Sequence, residues 1–365
     1  MKSFLVLIGV FLFSVTTYSQ SFYKVSGKIF DANTLQPLQG ASVFAQNTTI
    51  GTASDAQGNF TLYLPNGGYD LVITFTGYKT DTKRVTTGDE INKNIEIHLS
   101  QKEKEMADVT IVANSEVKDG WEKYGNFFLE EFIGKSSNSK NCTIKNPEAL
   151  KFYFSKRKNR LKVLASEPLQ IENKSLGYDI TYTLDSFTHE YNSEISLYTG
   201  YPLFSEIPTT DSLQKEQWAR ARTKAYLGST LHFMRSIYQQ SLKEEGFEIQ
   251  FLVKTNDKQM AIPLKNEYAA LHYQKDDSTH TVEILPNQLD VGVIYTKEKP
   301  SENYLKLNTG EPSDFQFSVL SFLPQQSIII EQNGYYYEQN ELSISGYWAW
   351  SKIADMVPYD YIPSK

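Results

Sequence analysis

Asn59-Phe-Thr-Leu-Tyr-Leu-Pro-Asn-Gly-Gly-Tyr-Asp-Leu-Val-Ile-Thr-Phe75 decides the fold of the first hundred residues. Phe60, Leu62 and Leu64 alternate with Thr61 and Tyr63, the period of a strand with one buried face. Pro65 to Gly68 reverses the chain, and Tyr69, Leu71, Ile73 and Phe75 then share one face of a second strand. Upstream, Asp55-Ala-Gln-Gly58 reads as a tight turn, because Asp at its first position bonds backbone N–H groups ahead of it and Gly suits the fourth. Val25, Gly27 and Ile29 open a first strand, and Ala41-Ser-Val-Phe-Ala45 forms a second. Gly77-Tyr78 closes the strand that ends at Phe75, and Ile91, Ile95, Ile97 and Leu99 mark the last one. Short strands at ~8–12-residue spacing predict an all-β sandwich over residues 20–100.

Several stretches of this segment together resemble the carboxypeptidase-D-regulatory-like domain. They are Val25-Ser-Gly-Lys-Ile, Leu38-Gln-Gly-Ala-Ser-Val, Thr52-Ala-Ser-Asp-Ala-Gln-Gly-Asn-Phe, Gly68-Tyr-Asp-Leu and Gly77-Tyr78. The resemblance covers about residues 22–100 and implies a seven-stranded, transthyretin-like (prealbumin-like) sandwich. In that family the domain is an accessory to zinc carboxypeptidases, or stands at the N-terminus of TonB-dependent outer-membrane transporters of Bacteroidota. Neither companion is legible here. The five histidines (His98, His189, His232, His272 and His280) lack the spacing of a zinc-carboxypeptidase ligand set. The 265 residues after Ser100 are too few for a transporter barrel.

Ahead of the sandwich, Lys2 and the apolar run Phe4–Val15 read as a signal peptide over residues 1–19, cut between Ser19 and Gln20. The run falls short of the roughly 20 apolar residues of a membrane span. The absence of a Cys after it argues against a lipoprotein anchor. The expected location is extracytoplasmic: periplasm, outer-membrane-associated or secreted. A net charge of −7 argues against nucleic acid as a partner. A single cysteine, Cys142, rules out a disulfide framework.

Behind the sandwich, Gln101-Lys-Glu-Lys-Glu105 begins a charged linker, 101–117. Residues 118–365 read as a β-rich α+β domain, with a split near Gly246 as the alternative. Trp121, Tyr124, Phe128 and Phe132 place a helix over Lys118–Ile133. Asp211-Ser-Leu-Gln214 starts a long helix ending before Gly246, whose stripe Leu227, Leu231, Met234, Tyr238 and Leu242 faces a core. Alternating runs from Phe247, Val282, Val291, Phe315 and Ile328 predict strands, and a last helix is expected over Trp348–Met356. Cys142-Thr-Ile-Lys-Asn-Pro, Tyr201-Pro-Leu-Phe204, Ala225-Tyr-Leu-Gly-Ser229 and His232-Phe-Met-Arg235 are similar to secreted Bacteroidota proteins known as carboxypeptidase-like regulatory domain-containing proteins. That family implies no activity and transfers no catalytic residue.

Two groups stand out as candidate binding residues. Arg220, Lys224, His232 and Arg235, with Gly228 between them, fall on one side of the predicted long helix. They read either as an anion site, with Arg as a forked donor, or as a solvated face with intramolecular carboxylate partners. Tyr347, Trp348 and Trp350, like Tyr335–Tyr337, are either a contact or sugar-stacking platform or core. Cys142 reads as a buried thiol rather than a nucleophile. No nucleophile elbow or phosphate loop occurs, and no cofactor or metal is called for. Asp55, with one carboxylate in its turn, is too sparse for calcium. The residues therefore point to a non-enzymatic envelope accessory whose partner is a protein or a glycan. The alternative is a peptide or glycan hydrolase with its site in the second region, which would need His232, Arg222 or Arg235 beside a perturbed carboxylate in one deep pocket.

Overall fold

The computed structural model describes residues 21–102, 116–255, 258–337 and 342–363. The expected signal peptide and most of the linker lie outside these residues. The first seven strands are β1 (Phe22–Asp31), β2 (Ser42–Ala45), β3 (Gly51–Ala53), β4 (Asn59–Pro65), β5 (Gly68–Thr74), β6 (Asp81–Thr86) and β7 (Ile95–Leu99). They form two sheets, β4-β1-β7 and β3-β2-β5-β6. The alternating residues of β4 and β5 do what their period requires: Phe60, Leu62, Leu64, Tyr69, Leu71 and Ile73 are all buried between the sheets. The N-terminal β-sandwich is thus as expected. Ile91 falls in a 3-10 turn, Glu90–Lys93, so the last strand begins only at Ile95.

The turn residues hold the strands in register. Asp55 Oδ1 accepts from Gln57 N (2.9 Å) and Asn59 N (2.8 Å). Gly58 follows at φ +77°, and a Cβ there would lie 2.6 Å from the Ile29 carbonyl of β1. Gly77 also has positive φ, with open space around it.

A second buried cluster lies under a six-stranded sheet. Its strands are β8 (Cys142–Ile144), β9 (Leu150–Ser155), β10 (Arg160–Ala165), β11 (Leu169–Asn173), β12 (Tyr178–Glu190) and β13 (Ile195–Glu206). The helix Gly120–Phe132 packs on it through Phe128 and Phe132, close to the bounds read from the aromatic spacing. A third cluster is built on β14 (Phe247–Thr255), β15 (Lys258–Pro263), β16 (Gln274–Asp276), β17 (Thr281–Ile284), β18 (Asp290–Tyr295), β19 (Gln316–Phe322), β20 (Ile328–Glu331) and β21 (Leu342–Gly346). These strands form a five-stranded sheet, β15-β14-β18-β19-β21, and a smaller one, β16-β17-β20. The second region is β-rich with few helices.

Two helix expectations need correction. The long helix is two, Ser212–Tyr226 and Thr230–Tyr238, followed by a single turn, Leu242–Glu245. Asp211 does cap the first one, accepting from Leu213 N (2.9 Å). The break falls at Gly228, where φ is +73°. A Cβ there would stand 2.6 Å from the Tyr295 ring, and Trp348 Nε1 donates to the Gly228 carbonyl (2.6 Å). Packing against the third cluster has overridden a periodicity that runs unbroken through the bend. The final helix is likewise only Tyr347–Trp350, with a separate 3-10 turn at Ile353–Asp355. Beyond it the chain returns to the second cluster, where Ile353, Ala354 and Val357 are buried.

The sandwich is joined to both later clusters. On one side Asn47 N donates to the Pro202 carbonyl (2.8 Å), and Phe204 N to that of Thr48 (2.9 Å). On the other, Arg84 of β6 donates to Glu331 Oε1 (3.0 Å) and to Tyr337 Oη (2.9 Å), and it pairs with Asp70 (3.3 Å). Its guanidinium lies over the rings of Tyr335 and Tyr337, at 4.3 and 4.0 Å. Tyr335 Oη donates to Asp70 Oδ2 (2.7 Å), and Asn333 Nδ2 donates to the Gly68 carbonyl (3.0 Å). Gly68 is needed for this approach, since a Cβ there would meet both Arg84 and Glu331.

Candidate functional site

The bend at Gly228 distributes the four helix residues that the sequence places on one side. Arg220 stays in solvent, paired with Glu216. Lys224 is exposed at the rim of a small cavity beside Tyr347, Trp348 and Trp350. His232 and Arg235 lie on the second helix and line a cleft of about 470 Å³ where the sandwich, this helix and the C-terminal tail meet. Tyr69 and Asn66 close the cleft from the sandwich side, and Tyr359, Asp360, Ile362 and Pro363 from the tail.

Ser229 caps the second helix, its Oγ accepting from His232 N (3.1 Å), which sets the imidazole against the bend. Gly228 N donates to His232 Nδ1 (3.1 Å), so the ring proton is assigned to Nε2, which faces Glu245 Oε2 (3.1 Å). The ring is packed among Tyr226, Phe247 and Tyr295. Burial lowers its pKa, against the opposing pull of Glu245. Arg235 engages its whole fork on backbone: Nε donates to the carbonyl of Asn333 (3.0 Å), Nη1 to Tyr361 (2.9 Å) and Nη2 to Tyr359 (2.8 Å). Arg222 is used the same way elsewhere, on the carbonyls of Leu176 and Gly177 and on Glu206.

The cleft can therefore offer hydrogen bonds and aromatic surface, but its His–Glu pair has no nucleophile in line. Ser229 Oγ serves the backbone, and Cys142 is buried in the second cluster, its thiol pushed up to about 12 by burial. A thiol raised in this way is inert. Among the described residues no group of three or more His, Cys, Asp or Glu could hold a metal, and no helix is long and apolar enough to cross a membrane. A wider cleft of about 720 Å³ between the β5–β6 turn and the second sheet is lined by Phe75, Gly77, Tyr78 and Tyr201 and by none of the candidate binding residues.

The buried imidazole gives a pH prediction. In the unfolded chain His232 titrates near the ordinary ~6.5; in the fold its value is lower, so the unfolded state binds more protons between the two values. Stability from this group is fully present above the ordinary value and is lost as pH falls through the folded one. Thermal melts between about pH 5 and 7.5 should show a steeper loss towards acid in the wild type than in His232→Gln. Parallel curves would refute the assignment.

Sequence reasoning missed Arg84, Glu331 and Asn333, and the only signal that pointed near them was the aromatic run Tyr335–Tyr337. Residues 25–111 match the family model of the CarboxypepD_reg-like domain, so the sandwich is a domain of that kind. No curated protein matches the chain. The group B streptococcus pilus 2b backbone protein is similar at 20% identity over 21% of this chain and 40% of its own, with a TM-score of 0.19. A DUF3823 family protein from Bacteroides ovatus is 13% identical over 51% of this chain and 83% of its own (TM-score 0.17). A putative membrane-associated protein of unknown function from Bacteroides fragilis is 11% identical over 86% and 94% (TM-score 0.19). The chain spans between 40% and 61% of the first four solved structures it resembles. Scores this low say nothing about shared activity.

Proposed function

We propose that this is a non-enzymatic accessory protein of the bacterial cell envelope, working outside the cytoplasm, with the sandwich as docking module and the second region as the binding body. One observation carries the reading. The cationic and imidazole side chains that a hydrolase would need free, Arg222, Arg235 and His232, are held by backbone groups and by Glu206 and Glu245. What else lines the cleft is recognition chemistry, amides, hydroxyls and rings with the carboxylates of Glu245 and Asp360, the latter bound to Thr49, rather than a base beside a nucleophile. The regulatory-like sandwich, an accessory domain type, supports the same reading.

The test is a cross-linked pull-down of the tagged protein from its own cell envelope, read by mass spectrometry. A dominant envelope protein or glycan-bearing species in the eluate is the expected result. Turnover of any peptide or glycan substrate by the purified chain would overturn the proposal in favour of a hydrolase.

A further inference from the structure

The six-stranded sheet over the second cluster has one face in the core and one towards water. Strand register places residues of four strands in rows across the outer face, because directly paired residues point to the same side. One row runs Tyr153, Lys162, Thr188, Leu197, and the next Ser155, Arg160, Glu190, Ile195. Their chain neighbours Phe152, Leu161, Phe187 and His189 form the buried side. The second row borders two hairpin tips, 156–159 and 191–194, that lie side by side. Tyr191 N donates to the Asn159 carbonyl (3.1 Å), and Asn159 Nδ2 donates to Asn192 Oδ1 (2.9 Å).

Two unlike properties meet at this end of the sheet. From Lys151 to Lys162 the chain carries six cations and no carboxylate, in a protein whose net charge is −7. Arg160 is paired with Glu190. The other five, Lys151, Lys156, Arg157, Lys158 and Lys162, have no carboxylate partner among the described residues. Lys156, Arg157 and Lys158 stand exposed on the first tip, and Glu194 is the only carboxylate in either tip. Beside them on β13, Ile195 is 51% exposed and Leu197 65%.

The combination selects the partner. A soluble acidic polymer would answer the cations but give Ile195 and Leu197 nothing to enter. A protein surface would bury the aliphatic pair, but lysine is depleted from protein–protein contacts, and four of the five free cations are lysines. An anionic lipid surface takes both, its headgroup phosphates meeting the cations while the aliphatic side chains enter the boundary between headgroups and acyl chains. The same surface repels the acidic remainder of the molecule, which turns this end towards it. We propose that the paired hairpin tips dock the protein peripherally on an anionic lipid bilayer, with the free cations as headgroup contacts and Ile195 and Leu197 as the apolar anchor.

The experiment takes the chain from Gln20 onward, so that the apolar run Phe4–Val15 cannot itself insert, and floats it with vesicles of phosphatidylcholine alone or mixed with phosphatidylglycerol. It should float with the mixed vesicles only, and raising salt from about 0.05 M to about 0.5 M should release it. Each cation at such a surface contributes about fivefold to binding, so Lys156→Gln, Arg157→Gln and Lys158→Gln together should weaken it about a hundredfold. Leu197→Ser should weaken it about tenfold. Both variants change exposed side chains and should keep the wild-type melting temperature. No flotation with the mixed vesicles would overturn the proposal, as would equal flotation with both kinds. Retention on immobilised dextran sulfate without vesicle binding would overturn it in favour of a soluble acidic polymer. Vesicle binding that either variant leaves unchanged would also overturn it. The vesicles carry no protein or glycan, so their result stands apart from that of the pull-down.

Discussion

Replacing Arg84 by Met should lower unfolding stability by about 3–5 kcal/mol, and replacing Glu331 by Leu as well should restore much of it. Glu331 is only 1% exposed at its side chain, and Arg84 is the cation that meets it. Removing the cation leaves a carboxylate buried, with Tyr337 Oη as its remaining donor. Removing both charges leaves a space beside the rings of Tyr335 and Tyr337 that an apolar pair can fill, with the partly exposed Asp70 still held by Tyr335 Oη. The tryptophans make the measurement specific. All four (Trp121, Trp218, Trp348 and Trp350) lie outside the sandwich, so their fluorescence follows the later clusters while far-UV circular dichroism follows every sheet. In the wild type the two urea transitions should coincide. In Arg84→Met they should separate, because the docked β6 has lost its main tie to β20. Coincident transitions and an unchanged midpoint would show that the ion pair does not couple the units.

The sandwich was legible because everything that specifies it is local. Alternation in Phe60–Leu64 and Tyr69–Ile73 and the turn chemistry of Asp55 and Gly58 act within a few residues. The helix break was not legible, because its cause is Trp348, 120 residues away from Gly228. The apolar stripe keeps its spacing across the bend, so periodicity alone reads one helix. For the same reason the four helix residues looked like one face, whereas the bend sends Arg220 to solvent, Lys224 to a cavity and His232 and Arg235 to a cleft. The Tyr335–Tyr337 run could be read as platform or core. In the fold its first and third rings are the seat of Arg84, a residue 247 positions upstream of Glu331, and that role exists only once the sandwich has docked.

The same long-range dependence gives Arg235 its weight. It is the clasp on the C-terminal tail, because two of its three bonds end on the carbonyls of Tyr359 and Tyr361 and the third on Asn333, whose side chain in turn holds Gly68 of the sandwich. Hydrogen bonds from a charged donor contribute about 1.5–3 kcal/mol each, though not additively. Arg235→Ala should therefore cost about 3 kcal/mol, second only to the loss of Arg84. Arg235→Lys should recover less than half, because one ammonium on a flexible stem cannot reach three carbonyls that the planar fork spans. The tail has further ties: Tyr359 N donates to the Asn47 carbonyl (2.7 Å), the hydroxyls of Thr223 and Tyr361 are hydrogen-bonded (3.0 Å), and Asp360 meets Thr49 at an exposed position that contributes little by comparison. The readout is chymotrypsin cleavage after Tyr359 and Tyr361, followed by intact mass. The variants should be cut there well before the wild type while the sandwich stays intact. If the tail of Arg235→Ala resists as long as that of the wild type, the tail is held by its bonds to Asn47 and Thr223 and by its apolar residues Ile353 and Val357 rather than by the guanidinium. The cleft that it borders would then keep its shape without Arg235.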